Sequence, residues 1–171
     1  LTAADEGIGN VTEALKQAGI WDDTLVIFTT DNGGPTSTCA VQGSSNYPKR
    51  GGKCTIWEGG TTGDAFLSGP ALSKLGLPTS ARFPHLFHVV DWMPTLAEIV
   101  GAVPKNNKID GKSQLTGLKQ NIAIRDHVFV GYAYAGYSTN QWYGPAIRHG
   151  QWKLIQGTSA GPDEYDIAPH G

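Results

Sequence analysis

Apolar residues near the start of the chain recur on one side of a helical wheel: Ala4, Ile8, Val11, Leu15 and Ala18 are spaced by 4, 3, 4 and 3. This spacing predicts an amphipathic helix over residues 3–18. Thr2, followed three positions later by Asp5, resembles a capping box, and Gly19 suits the left-handed residue that closes a helix. Gly7 and Gly9 each weaken such a helix by about 1 kcal/mol relative to Ala, so burial of the apolar face has to hold it. Trp21-Asp22-Asp23 makes a turn, and Leu25-Val26-Ile27-Phe28 follows as an unbroken apolar run. Such a run predicts a strand covered on both faces, as in a parallel sheet. Helix, turn and buried strand make half of a βαβ unit and point to the α/β class.

The pattern then changes. Residues 33–63 are rich in Gly, Ser, Thr and Asn, and a loop of that length in a compact domain is usually functional or disordered. Phe66 and Leu67 suggest a short strand. Asp91 to Val100 reads as a helix, with Asp91 as its N-cap, Pro94 in its first turn and Gly101 ending it. Residues 104–126 are polar and turn-rich, and Lys105, Lys108 and Lys112 read as a solvated loop. Val128 to Val130 with Tyr132 and Tyr134 reads as a strand. Residues 145–148 and 152–155 flank His149-Gly150-Gln151 as a hairpin. The expected organisation is an α/β part over 1–103, a connecting loop over 104–126, and a small antiparallel β region with a tail over 127–171.

Composition narrows the function. Lys and Arg total 13, Asp and Glu total 15, and the net charge is −2, so no basic face for nucleic acid is implied. No apolar run reaches the roughly 18 residues of a membrane span. The chain opens at Leu1, without Met, inside a helical pattern, and residues 157–171 fade into Gly, Pro, Ser and Asp. A fragment or processed form of a larger protein is therefore expected.

Chemistry concentrates in the long loop. Asp31-Asn32-Gly33-Gly34 ends the apolar run, where ligand sites of open α/β sheets lie. Asp and Asn offer hard oxygen donors that suit Ca²⁺ or Mg²⁺ rather than Zn²⁺. Taken alone, the tetrapeptide reads more readily as a plain turn without a ligand. Arg50-Gly51-Gly52-Lys53 places a Lys on a Gly-rich loop, where its charge could face an oxyanion or simply water. In Trp57-Glu58-Gly59-Gly60, Glu58 reads as a metal ligand or, more simply, as an acceptor from loop amides, and Trp57 as a packing anchor. Cys39 and Cys54 form no metal motif; they either bridge each other across the loop or stay as two thiols. His85, His88, His127 and His149 are too scattered for a local metal triad. Trp142 and Tyr143 fit a sugar-lining role or ordinary packing. Ser44 and Ser45 lack the strand–turn–helix context of a hydrolase nucleophile.

Several of these segments together resemble the sulfatases. They are the helix over residues 5–18, Thr30-Asp31-Asn32-Gly33-Gly34, the loop from Asn46 to Lys53, Trp57-Glu58-Gly59-Gly60, the stretch His88 to Leu96, and Ala146 to Leu154. The branch most similar is arylsulfatase B, the N-acetylgalactosamine-4-sulfatase group, with its animal relatives I and J. The resemblance implies an alkaline-phosphatase-like α/β fold, incomplete here, followed by the small antiparallel β region. It also implies bound Ca²⁺ and hydrolysis of sulfate esters on sulfated carbohydrates or aryl sulfates. By position, Asp31 and Asn32 would be metal ligands, Lys53 would contact the sulfate, and Arg50 would support the loop.

The same resemblance marks departures. The family's nucleophile is a Cys oxidised to formylglycine in a Cys-x-(Pro or Ser)-x-Arg motif. Neither Cys39-Ala40-Val41-Gln42-Gly43 nor Cys54-Thr55-Ile56-Trp57-Glu58 fits it. The nucleophile and the paired aspartates completing the metal shell are expected on a missing N-terminal part, a partner joined covalently or as a separate chain. Thr62 stands where the family commonly has Arg. Asn10-Val11-Thr12 is an N-glycosylation acceptor. With the resemblance, it implies the secretory pathway and a lysosomal or extracellular location, which would also allow a Cys39–Cys54 bridge. The alternative to an enzyme is an inactive sulfatase-like protein serving as a secreted binding or structural component.

Overall fold

The computed structural model describes residues 2–36, 43–103, 108–134 and 142–157. In chain order these form α1 (Thr2–Gln17), β1 (Val26–Thr29), α2 (Glu58–Thr61), β2 (Ala65–Ser68), α3 (Ala71–Lys74), α4 (Trp92–Ile99), α5 (Leu115–Gln120), β3 (His127–Val130), β4 (Ala133–Tyr134), β5 (Trp142–Tyr143), β6 (Ala146–His149) and β7 (Trp152–Ile155). Short 3₁₀ turns lie at Trp21–Asp23 and Val89–Asp91. The chain divides into two compact units. One comprises residues 1–28, 65–84 and 89–124; the other comprises 29–64, 85–88 and 125–171.

In the first unit, glycine closes the helices as the pattern predicts. Gly19 takes φ +70° and donates its N–H to Lys16 O at 3.0 Å, while Ile20 N–H reaches Leu15 O at 3.2 Å. These two bonds satisfy orphan carbonyls in a Schellman motif. The same pair of bonds recurs after α3 at Gly76 and after α4 at Gly101, both with positive φ. At α3 the motif draws Leu77 toward Leu72, and both join Leu115 in the buried core of this unit. Leu25, Leu67, Leu75, Ile99 and Leu118 pack around them. Burying each core leucine contributes about 1.5–3 kcal/mol.

Burial departs from the hydrophobic pattern at α1 and β1. No residue of α1 is buried: Ile8 is 41% exposed and Val11 61%. The periodicity encodes a face that needs a partner, and the described residues of this unit gather their leucines elsewhere. The run in β1 is likewise only half covered. Val26 and Ile27 are partly buried, whereas Phe28 and Thr29 are exposed. Among the described residues β1 pairs only with β2. Phe28 stacks on Phe66 with ring centroids 5.0 Å apart. Thr30 N–H donates to Asp64 O at one end and Ala71 N–H to Thr24 O at the other, so these strands run in opposite directions, not parallel.

Asp91 does not act as the expected side-chain cap. It precedes α4, but with helical backbone angles and no side-chain capping bond. Its buried carboxylate accepts from Lys112 N–H at 2.8 Å and from Gln114 Nε2 at 3.2 Å. Thr95 Oγ1 donates to Asp91 O at 2.6 Å and accepts from Gln114 N–H at 2.9 Å. Asp91, Thr95 and Gln114 form a buried polar network that ties α4 to the start of α5. The stretch read as turn-rich thus contains a helix. Lys112 is exposed in its side chain while its amide serves this network; Lys105 lies outside the described residues.

In the second unit, β3, β6 and β7 form an antiparallel sheet in that order. The hairpin expected around Gly150 is present as β6 and β7, and Gly150 takes φ +54°. Side chains alternate: Val128, Val130, Ala146, Arg148, Lys153 and Ile155 are buried or half-buried, while Phe129, Ile147, Trp152 and Leu154 are exposed. Ile56, Tyr143 and Ala146 make the core, with Val130 and Ile155 against it. Tyr143 is therefore a packing residue. β4 pairs with β5 beside this sheet in sequence, in an antiparallel ladder of its own.

Candidate functional site

The loop between β1 and β2 has little regular structure, yet its backbone is closely packed. Three glycine pairs carry this: Gly33-Gly34, Gly51-Gly52 and Gly59-Gly60. A Cβ on Gly33 would stand 1.5 Å from Gly59 O, one on Gly59 would stand 2.0 Å from Gly51 O, and one on Gly60 would stand 2.3 Å from Gly52 O. Only residues without side chains let backbones approach this closely. Hydrogen bonds lock the contacts: Gly33 N–H donates to Gly60 O at 3.1 Å, Gly59 N–H to Arg50 O at 2.7 Å, and Lys53 N–H to Gly34 O at 3.0 Å.

Asn46, to which the sequence reading gave no role, is the clamp at the centre. Its Oδ1 accepts from Gly34 N–H at 2.9 Å. Its Nδ2 donates to Gly34 O at 2.9 Å and to Gly51 O at 3.1 Å. One amide thus joins the first two glycine pairs. The sequence signal was faint, an Asn inside a Gly-rich loop, because its partners lie 12 and 5 residues away.

The candidate residues sit on this frame. Asp31 is exposed and Asn32 half-buried. Asp31 Oδ1 accepts from Asn32 N–H at 2.8 Å, and Asn32 Nδ2 donates to Gly33 O at 2.8 Å. The structure brings the Lys53 backbone against the turn that follows them, with its side chain exposed. Arg50 lays its guanidinium over the Trp57 ring, 3.9 Å from the centroid, a cation–π contact. Cys54 takes φ +73° and is held in a disulfide. Cys39 lies outside the described residues. Asn10, on the other unit, is exposed on α1.

The donor set can be tested against a divalent cation. A carboxylate and an amide oxygen are hard donors of the type Ca²⁺ takes, and with the amide nitrogen of Asn32 bound to Gly33 O, its Oδ1 is the atom left for such a role. Ca²⁺ takes roughly six to eight oxygens, so this pair fits in kind and supplies part of a shell. Among the described residues, no three His, Cys, Asp or Glu side chains gather as a metal site. His127 instead pairs its Nδ1 with Asp126 Oδ1 at 2.7 Å.

Glu58 differs from both sequence readings. It bonds neither loop amides nor a ligand set. Its carboxylate accepts from Arg148 Nη1, from Lys153 Nζ at 2.9 Å, and from Thr62 Oγ1 at 3.2 Å. Lys153 Nζ also donates to Thr61 Oγ1 at 3.1 Å. Burial raises the Glu58 carboxyl, but the hydrogen bond and charge of Lys153, the charge of Arg148 and the Thr62 hydroxyl outweigh it. Its pKa lies below the ordinary 4.5. Thr62, where the resembling family commonly has Arg, is thus a donor to this carboxylate.

The family profile described as Sulfatase matches residues 1–102, more than half of the chain. The chain belongs to the sulfatase family. Arylsulfatase J of Mus musculus is 35% identical over 172 aligned residues, covering 92% of this chain and 27% of that protein. N-acetylgalactosamine-6-sulfatase of Homo sapiens is 34% identical, covering 73% of this chain and 23% of that protein. The chain thus spans about a quarter of the relatives it matches. Among solved structures, Ps i-CgsB in complex with k-i-k-neocarrahexaose superposes with a TM-score of 0.72 at 30% identity, over 91% of this chain and 32% of that one. The architecture is that part of the alkaline-phosphatase-like sulfatase fold, a mixed α/β arrangement with small antiparallel sheets. No helix among the described residues is long and apolar enough to cross a membrane.

Proposed function

We propose that this chain supplies the Asp31–Lys53 part of an active site that hydrolyses sulfate esters, in the arylsulfatase B and J branch of the family. The observation that carries this reading is the bond from Lys53 N–H to Gly34 O, which brings the lysine backbone to the turn bearing Asp31 and Asn32. In this reading Asp31 and Asn32 are oxygen donors to Ca²⁺, with Mg²⁺ the lesser alternative. Bound there, the cation would polarise a sulfate oxygen and offset charge that grows as the ester breaks. Lys53 places an ammonium group toward the same oxygens, where a fixed charge lowers the barrier. Arg50, stacked on Trp57 and accepting from Gly59 N–H, supports the loop beneath them.

The nucleophile is proposed to come from residues outside this chain, since neither cysteine stands in the formylglycine motif. Cys54 is proposed to pair with Cys39. Asn10 is proposed to carry a glycan, and the protein to work in the secretory pathway, in lysosomes or outside the cell. The substrate class is a sulfated carbohydrate, in keeping with the relatives' names. The test is aryl-sulfate turnover by the protein that contains this chain together with the nucleophile. Lys53→Ala should lower kcat about 100-fold or more with the fold intact by circular dichroism. Full turnover in that variant, or turnover indifferent to calcium chelation, would overturn the reading.

A further inference from the structure

We infer that Glu58 is a positioning residue: held by two cations of the β6–β7 hairpin, it fixes the α2 turn whose backbone braces the Asp31–Asn32 turn. The inference rests on the proposed roles of Asp31, Asn32 and Lys53 for its functional consequence, though not for its geometry.

Helix α2 has four residues, Glu58 to Thr61, too few to hold a helical turn unaided. Its two central residues, Gly59 and Gly60, have no side chains with which to anchor it. Yet this turn receives Gly33 N–H and stands behind Gly33 so closely that no Cβ would fit. Whatever holds α2 therefore holds the backbone next to Asp31 and Asn32.

The holding groups are at its ends. Glu58 takes Arg148 and Lys153, and Thr61 shares Lys153. Arg148 and Lys153 are directly opposite one another in the β6–β7 ladder. Both side chains point to the covered side, and Lys153 is only 12% exposed. Like charges directly opposite across two strands repel. Glu58 is the carboxylate between them, so it relieves this repulsion and fastens α2 to the sheet. Because Lys153 is nearly buried, losing its counter-ion costs more than losing a surface pair. The route from Glu58 to the site is then short: Glu58, Gly60 O, Gly33 N–H, and the Asn32 and Asp31 that precede it.

Amide hydrogen exchange, followed at these residues in the protein that contains this chain, tests the geometry without relying on catalysis. In Glu58→Gln, the amides of Gly33, Gly59 and Lys53 should exchange about tenfold faster, while Leu77 and Ala102 in the other unit keep their protection. Lys153→Met removes the other partner and should release the same three amides. If either variant leaves them as protected as in the parent, or speeds every amide equally, the inference is overturned. In the sulfate-hydrolysing protein, Glu58→Gln should raise the calcium needed for half-maximal rate by about 10–100-fold, as loss of an outer support for metal ligands does. An unchanged calcium requirement would also overturn it. Failure of the functional reading has a different signature: Lys53→Ala retains turnover while the exchange results still hold.

Discussion

Helix α1 and the glycine-braced loop invert the usual relation between pattern and packing. The helix has a regular apolar stripe, closes with a Schellman motif, and buries none of its residues among those described. The loop has no periodicity, yet Gly33, Gly51, Gly52, Gly59 and Gly60 are all buried, backbone on backbone. Hydrophobic spacing reports local conformation and a demand for a partner. Tight packing in the loop comes from the absence of side chains, and hydropathy is blind to that.

The largest effect is expected at Gly33. Gly33→Ala would drive a methyl into Gly59 O, and we expect a loss of about 3 kcal/mol or more in urea unfolding. A variant as stable as the parent would mean the interlock is looser than described. Next in size is Asp91→Ala, which removes the acceptor of the Lys112 amide and one of two acceptors of the buried Gln114 Nε2. Its cost should be roughly 2–4 kcal/mol by the same measurement. If Asp91 were only a solvent-facing helix cap, the loss would be nearer about 1 kcal/mol.

A smaller effect concerns acid. The folded Glu58 pKa lies below its ordinary 4.5, so its stabilisation is fully present above that value and is lost as pH falls through the lower, folded value. Stability curves of parent and Glu58→Gln should therefore converge on acidification. Curves that stay parallel below pH 4.5 would remove Glu58 from the charge balance. The smallest effect is expected at α1: Val11→Ala, on the exposed stripe, should change stability by no more than about 0.5 kcal/mol. A loss several times larger would mean that the stripe is covered, and the contrast with the loop would fail.

What could be read in the sequence was local. Gly19 and Gly101 end helices because only glycine takes a left-handed angle at little cost, and that requirement is fixed by the residue itself. The hairpin around Gly150 was legible for the same reason, and the motif series pointed to the sulfatase family that the comparisons show. Asn46 and Glu58 were not legible. Glu58 meets its cations 90 and 95 positions along the chain, and no local pattern encodes such a meeting. Asp91 misled because a helix N-cap and a buried acceptor begin with the same residue before the same helix.

Read alone, the residues thus fixed where the backbone must turn and which family the motif series belongs to. The tertiary structure alone decided which backbones touch, which carboxylate faces which cations, and which apolar face goes uncovered. The reason is range: dihedral preferences act within a few residues, whereas charge pairing and close packing depend on segments the chain brings together only once folded.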